Sequence, residues 1–222
     1  MFKKILLVED IDTISDGIAS KIKQGVGITN ITIAQYCDNA YIKFVKAEID
    51  QEPFDLLITD LSFKKDYRES SISSGEQLIK KLRDKNYNIP IVVYSIEERP
   101  SVIKKLMERY GVSAYVFKGR NSAKSMIDAL KCVKESKRFI SEELTATLRK
   151  KEIFTLKEFD AILLHQLSKG STQEEISIIL KEKSISPNSL SSIEKRLNRL
   201  KEELKAKTTI QLIANAKDLG LI

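Results

Sequence analysis

Residues that build metal and disulfide sites are scarce in this chain: two cysteines and one histidine in 222 positions. Cys37 and Cys132 lie far apart with no second cysteine beside either, which argues against a disulfide framework or a zinc site. The lone His165 cannot build a multi-histidine centre and reads as a core or rim residue. No apolar run approaches the length of a bilayer span. Met1 passes straight into a strand pattern, without the order of regions that marks a signal peptide. These absences lead us to expect a cytoplasmic protein with no membrane partner. A concentrated charge is missing as well. The net charge is +7, spread along the chain rather than gathered in a tail, so charge alone says little about nucleic acid.

What the sequence does contain is a set of short apolar runs that stop on reactive side chains. Phe54-Asp55-Leu56-Leu57-Ile58-Thr59 ends on Asp60, and Lys4-Ile5-Leu6-Leu7-Val8 runs into Glu9-Asp10. Ile91-Val92-Val93-Tyr94 runs into Ser95, and Ala114-Tyr115-Val116-Phe117 into Lys118. Runs of this length and composition read as strands buried on both faces. With Ile28 to Ala34 as a further strand, they alternate with helix patterns such as Ile14, Ile18 and Ile22. Five βα units predict an α/β doubly wound, five-stranded parallel sheet with helices on both faces. Ligands of such sheets bind beyond the carboxyl ends of the strands. Residues 62–74, serine-rich and charged, form a long loop directly after Asp60.

Three carboxylates without a nearby histidine suit a hard cation such as magnesium. Beside it, Asp60 has the chemistry of a phosphoryl acceptor, with Lys118 to neutralise a phosphoryl oxygen and Ser95 to hydrogen-bond another. One Asp or Lys after a strand is usually a solvated loop residue; four strand ends agreeing in type is harder to dismiss.

On Leu7-Val8-Glu9-Asp10, Ile58-Thr59-Asp60-Leu61, Val93-Tyr94-Ser95 and Tyr115-Val116-Phe117-Lys118, the chain resembles the receiver domain of two-component response regulators, a flavodoxin-like fold. The resemblance implies that Glu9 and Asp10 bind magnesium with Asp60 and the Ser62 backbone carbonyl. It makes Asp60 the phosphoacceptor, Ser95 and Tyr115 the switch pair, and Lys118 the phosphoryl counter-charge. Two departures flank the acceptor. Phe63-Lys64 and an insertion stand where the family has Met-Pro, and Ile96 where it has a small residue. Both bear on the rates of phosphoryl transfer and loss.

After about Val133 the strand patterns stop. Phe139 to Leu144 reads as the start of a linker helix with Ser141 as N-cap. Thr155-Leu156-Lys157-Glu158 and Thr172-Gln173-Glu174-Glu175 read as capping boxes. Four helices are predicted, over 156–168, 173–182, 190–206 and 208–218. In the third, Ile193, Leu197, Leu200 and Leu204 form one apolar stripe, and Ser191, Lys195, Asn198 and Arg199 lie opposite, with Ser192 flanking and Arg196 at the margin. Arg and Asn suit base edges, Lys and Ser phosphates. An isolated helix of this kind would be a plain solvated surface. Its context, however, resembles the LuxR-type helix-turn-helix of NarL/FixJ response regulators, through Phe154 to Phe159, Gly170 to Ile176, Ile185-Ser186-Pro187, Ser192 to Leu204 and Thr209 to Ile213.

The expected organisation is a receiver domain (1–133), a helical linker (134–153) and a DNA-binding domain (154–222). The resemblance implies a sensor histidine kinase, double-stranded DNA and a second copy of the chain as partners, the last through the final helix, with no activity beyond self-phosphotransfer and autodephosphorylation. Two other readings stand beside it. One is a magnesium-dependent phosphohydrolase with Asp60 as nucleophile, a class that needs an aspartate where this chain has Ser62. The other is a DNA-binding regulator that works without phosphorylation.

Overall fold

Four-residue runs of Ile, Leu, Val and Thr form the centre of the sheet in the computed structural model, which describes residues 2–64, 67, 70–145, 158–219 and 221–222. The chain divides into two compact units, one of Met1–Glu98 with Ile103–Thr147 and another of Arg99–Val102 with Leu148–Ile222.

In the first unit the strands are β1 (Ile5–Val8), β2 (Ile31–Ala34), β3 (Leu56–Thr59), β4 (Ile91–Ser95), β5 (Ala114–Phe117) and β6 (Phe139–Ile140). All pair in parallel, in the order β2-β1-β3-β4-β5-β6. Between them run the helices α1 (Asp12–Val26), α2 (Cys37–Ile49), α3 (Gly75–Asp84), α4 (Pro100–Lys104) and α5 (Ser122–Lys134). Residues of β1, β3 and β4 are buried throughout because helices cover both faces, which is why these strands are unbroken apolar runs. On one face Ile18 and Ile22 of α1 and Met126 and Leu130 of α5 pack against Leu7, Ile58 and Val116. Phe44 of α2 and Ile79 and Leu82 of α3 are buried as well. The strand order reverses between β1 and β3, so the crevice for a ligand opens where Glu9, Asp10 and Asp60 emerge.

Two features depart from the periodicity. The fourth helix is only five residues of α-helix before it widens into a π-helical turn over Lys105–Arg109, where the Tyr110 N–H reaches the Lys105 carbonyl. A sixth strand, which the sequence did not predict, also precedes the expected linker helix. Phe139 and Ile140 align with Ala114 and Tyr115, and Ser141 donates its N–H to the Tyr115 carbonyl (2.9 Å). The Ser141 hydroxyl accepts the Phe117 N–H (3.0 Å), and the helical turn starts after it, at 142–145. A two-residue strand carries no periodicity of its own.

The second unit is helical: α6 (Glu158–Ser168), α7 (Gln173–Glu182), α8 (Leu190–Glu203) and α9 (Thr209–Asp218). Leu163, Leu164, Ile176, Leu180, Ile193 and Leu197 form its core. The predicted capping box at α7 is present: Thr172 Oγ1 accepts the Glu175 N–H (3.2 Å), and Glu175 accepts the Thr172 N–H (2.8 Å). The box predicted at Thr155 lies outside the described residues. The turn before α8 is pinned by Ser177, whose hydroxyl donates to the Asn188 carbonyl (2.6 Å), and Ser189 caps α8. That helix ends at Glu203, three residues before the predicted boundary, because Lys205 takes a positive φ of 52°. Among the described residues no helix is long and apolar enough to cross a membrane.

Candidate functional site

Register alone gathers the reactive strand ends. Val8 is level with Thr59, and Thr59 with Val93. Ser95 is level with Phe117. Glu9, Asp10, Asp60, Ser95 and Lys118 therefore leave the sheet along one edge. Backbone bonds continue past the strands: Asp60 donates its N–H to the Val8 carbonyl (3.0 Å), and Lys118 to the Ser95 carbonyl (2.9 Å).

The Lys118 ammonium sits 2.6 Å from Asp60 Oδ2 and 2.7 Å from Glu9 Oε2, with a tenth of its side chain exposed. Burial pulls the Lys118 pKa down, but hydrogen bonds and charge from Asp60 and Glu9 outweigh it, and the lysine titrates above its ordinary value. Glu9 is held above the usual carboxylate range, chiefly by burial and further by the Asp60 charge, against the opposing pull of Lys118. Two of the three acids, Glu9 and Asp60, thus share one internal cation. Glu9 Oε1 is buried and has no hydrogen-bond donor among the described residues. An orphaned carboxylate oxygen in a site of this kind has the character of a metal ligand. One carboxylate oxygen from each of Glu9, Asp10 and Asp60 lies within 4.8 Å of the other two. The donor set is all oxygen, which fits magnesium.

The surroundings fix these groups. Gly75, the first residue of α3, rests against the Asp60 carbonyl so closely that a Cβ there would fall 1.7 Å from the oxygen. The Thr59 hydroxyl donates to the same carbonyl (2.7 Å). The inserted loop leaves and returns through a bridge between Ser62 and Ser74. Its two limbs are held by acids: Asp10 accepts the Lys64 N–H (2.8 Å), and Asp38 of α2 accepts from the Ser71 N–H and hydroxyl and the Ile72 N–H. Asp38 and Gly75 were not among the expected site residues. A glycine opening a helix directly after a serine cap was the one sequence signal for the second; nothing local marks the first.

The expected switch pair is buried. Ser95 accepts the Glu97 N–H (3.4 Å), and the Tyr115 hydroxyl donates to the Glu97 carbonyl (2.8 Å), so both residues address one turn after β4.

In the second unit, α8 presents Ser191, Lys195, Asn198 and Arg199 to solvent, with Ser192 half-buried, as its stripe predicts. The Ser189 cap engages the Ser192 hydroxyl (2.8 Å) and stands 3.2 Å from the Ser191 hydroxyl. Arg196 is placed differently. Its guanidinium forks onto the fully buried Asp160 of α6, with bonds of 2.6 and 2.7 Å, and lies 3.7 Å from Glu203. The Asp160 hydrogen bond raises its pKa further. Arg196 is thereby directed into its own unit.

No family model matches the chain, and no curated protein matches it. Solved structures do. The chain is similar to the RcsB response regulator of Salmonella typhimurium, at 19% identity and a TM-score of 0.70 over 97% of this chain and 99% of that one. It is similar to RcsB in a structure of two dimers bound to two parallel DNAs, at 18% identity and a TM-score of 0.65 over 99% and 100%. It is also similar to the isolated REC domain of RcsB from Salmonella enterica serovar Typhimurium with the phosphomimetic BeF3-, at 18% identity and a TM-score of 0.55, covering 67% of this chain and 99% of that one. At such identity the likeness establishes the fold: a doubly wound parallel sheet followed by a helical domain.

Proposed function

We propose that this protein is a response regulator, a transcription factor whose DNA binding is controlled by phosphorylation of Asp60. In this reading residues 1–133 are the receiver, 134–153 the linker and 154–222 the DNA-binding domain. The observation that carries it is the placement of Asp60 Oδ2 on the Lys118 ammonium, beside Asp10 and the unsatisfied Glu9 Oε1.

Magnesium, when bound, supplies the divalent charge that lets an anionic phosphoryl group approach several carboxylates; Glu9, Asp10, Asp60 and the Ser62 carbonyl would hold it. The protein's own groups do the rest. An Asp60 carboxylate oxygen attacks phosphorus, the bond from phosphorus to the imidazole nitrogen of a kinase phosphohistidine breaks, and the imidazole leaves with that electron pair. The product is an acyl phosphate, in which Asp60 has exchanged its carboxylate charge for a phosphoryl dianion. Lys118 then faces phosphoryl oxygens in place of a carboxylate. The Ser95 hydroxyl is drawn toward the same group, and Tyr115, bonded to the same turn, follows. The exposed side of α8 supports the second half of the reading, with Lys195 and the serines suited to phosphates and Asn198 and Arg199 to base edges. The known structures of similar fold carry DNA and a phosphomimetic, which agrees. We assign pairing of two copies to α9, where Ile210 is 82% exposed. The phosphohydrolase reading lacks support, because the position it needs as an acid is Ser62.

Incubation with a small phosphodonor and magnesium, followed by intact mass and gel filtration, tests the proposal. Wild type should gain one acid-labile phosphoryl group, shift toward a dimer and bind duplex DNA more tightly; the nearly isosteric Asp60→Asn protein should do none of these. DNA binding that ignores the donor would leave the phosphorylation-independent reading in its place.

A further inference from the structure

We propose that Tyr94 is a positioning residue for Lys118: its ring face holds the ammonium at the acidic cluster. This rests on the phosphoacceptor reading only for its consequence in phosphoryl transfer. Tyr94 and Ser95 are successive residues of β4, so their side chains leave opposite faces of the sheet. Ser95 faces the switch turn. Tyr94 packs in the core beneath α1 and α5, with 7% of its surface exposed. The Lys118 ammonium lies 5.1 Å from the centre of the Tyr94 ring, within the range of a cation–π contact. The same nitrogen touches Asp60 and Glu9. The ring is itself held at its far end, because its hydroxyl donates to the Ser122 hydroxyl (3.3 Å) in the first turn of α5. Lys118 and Ser122 bracket the connection from β5 to α5, so one side chain braces both ends of it.

The physical need is clear from lysine itself. Its four-carbon stem is flexible, and its ammonium is a point charge that any nearby anion can claim. When Asp60 becomes esterified, one of the two carboxylates that fix the ammonium is lost. A ring that attracts the cation through its quadrupole, and cannot be protonated or phosphorylated at that face, keeps the charge aimed during the exchange. A leucine or methionine would fill the space without attracting the charge.

Two measurements on the full-length protein test this. The first is the ring-current displacement of the Lys118 Hε and Cε resonances, assigned by their disappearance in Lys118→Arg. It should be present in wild type and Tyr94→Phe and absent in Tyr94→Leu, with Tyr94→Met as the substitute if the leucine variant does not fold. The second is the phosphorylation rate at saturating phosphodonor, which should fall about tenfold in Tyr94→Leu and less than twofold in Tyr94→Phe, with magnesium affinity unchanged. A wild type without the displacement, or a leucine or methionine variant labelled as fast as wild type, overturns the proposal. If neither wild type nor any variant takes label while wild type keeps the displacement, the phosphoacceptor reading falls and the placement of Lys118 by Tyr94 stands.

Discussion

Cys37 illustrates how far a single residue can be read. Its sulfur was not expected to form a disulfide, and both cysteines are free thiols. What the fold adds is its location, at the start of α2 with 2% of its surface exposed, close enough to the acidic cluster to sense it. Burial, and then the charges of Asp38, Asp10 and Asp60, push its thiol up to about 12. At pH 8 about one molecule in ten thousand then carries the thiolate, which is the reactive form. Alkylation at that pH should leave Cys37 unmodified in the folded protein and label it after unfolding, as peptide mapping would report. The same shift has a consequence for stability. The folded value lies above the unfolded one, near 9, so the neutral thiol favours the fold, and this contribution is lost as pH rises from about 9 toward 12.

At the scale of the element, β6 is the least expected piece and the most specific. It lengthens the sheet along β5, the strand that carries Tyr115 and ends at Lys118. Three main-chain groups of β5 and its approach depend on it: the Ser113 carbonyl, which accepts the Phe139 N–H, the Tyr115 carbonyl and the Phe117 N–H. The last is met by the Ser141 hydroxyl, a fully buried group. Ser141→Ala would leave that N–H without its acceptor and cost about 1–3 kcal/mol. A urea titration should register the loss as a lower midpoint with an unchanged slope. An unaltered midpoint would mean that β6 is not held by this contact.

For the whole molecule, the two units have separate cores, so substitutions in α8 divide by what they touch. Arg196 neutralises Asp160, which has no exposure at all. Arg196→Ala would remove the bidentate partner of a buried carboxylate, at a cost of about 3–5 kcal/mol, and should lower the melting of the second unit while the first melts as before. Lys195→Ala and Arg199→Ala remove exposed groups and should leave the melt unchanged. In a salt-titrated binding assay, Lys195→Ala should reduce the slope by about one unit for every sequence. Arg199→Ala should lose about 1–3 kcal/mol of discrimination at one base position. Equal binding of both variants and wild type to a selected and a random duplex would remove α8 as the reading helix.

Local pattern by itself determined the alternation of strands and helices, the strand ends at Glu9, Asp10, Asp60, Ser95 and Lys118, the box at Thr172 and the apolar stripe of α8. Each of these is legible because its cause lies within a few residues: burial on both faces makes a strand uniformly apolar, and a helix with one buried face repeats every three to four positions. The tertiary structure decided the remainder. Lys118 finds Glu9 across 109 positions and Tyr94 beneath it, Arg196 finds Asp160, and Ser141 finds the edge of β5. No periodicity records which remote group a side chain will meet. Lys195 and Arg196 are adjacent and both basic, yet one helical step of about 100° turns the first to solvent and the second onto a buried carboxylate. The sequence could place both near the reading surface of α8, but only the packing of α6 against that helix separates the charge open to a ligand from the one that holds the domain together.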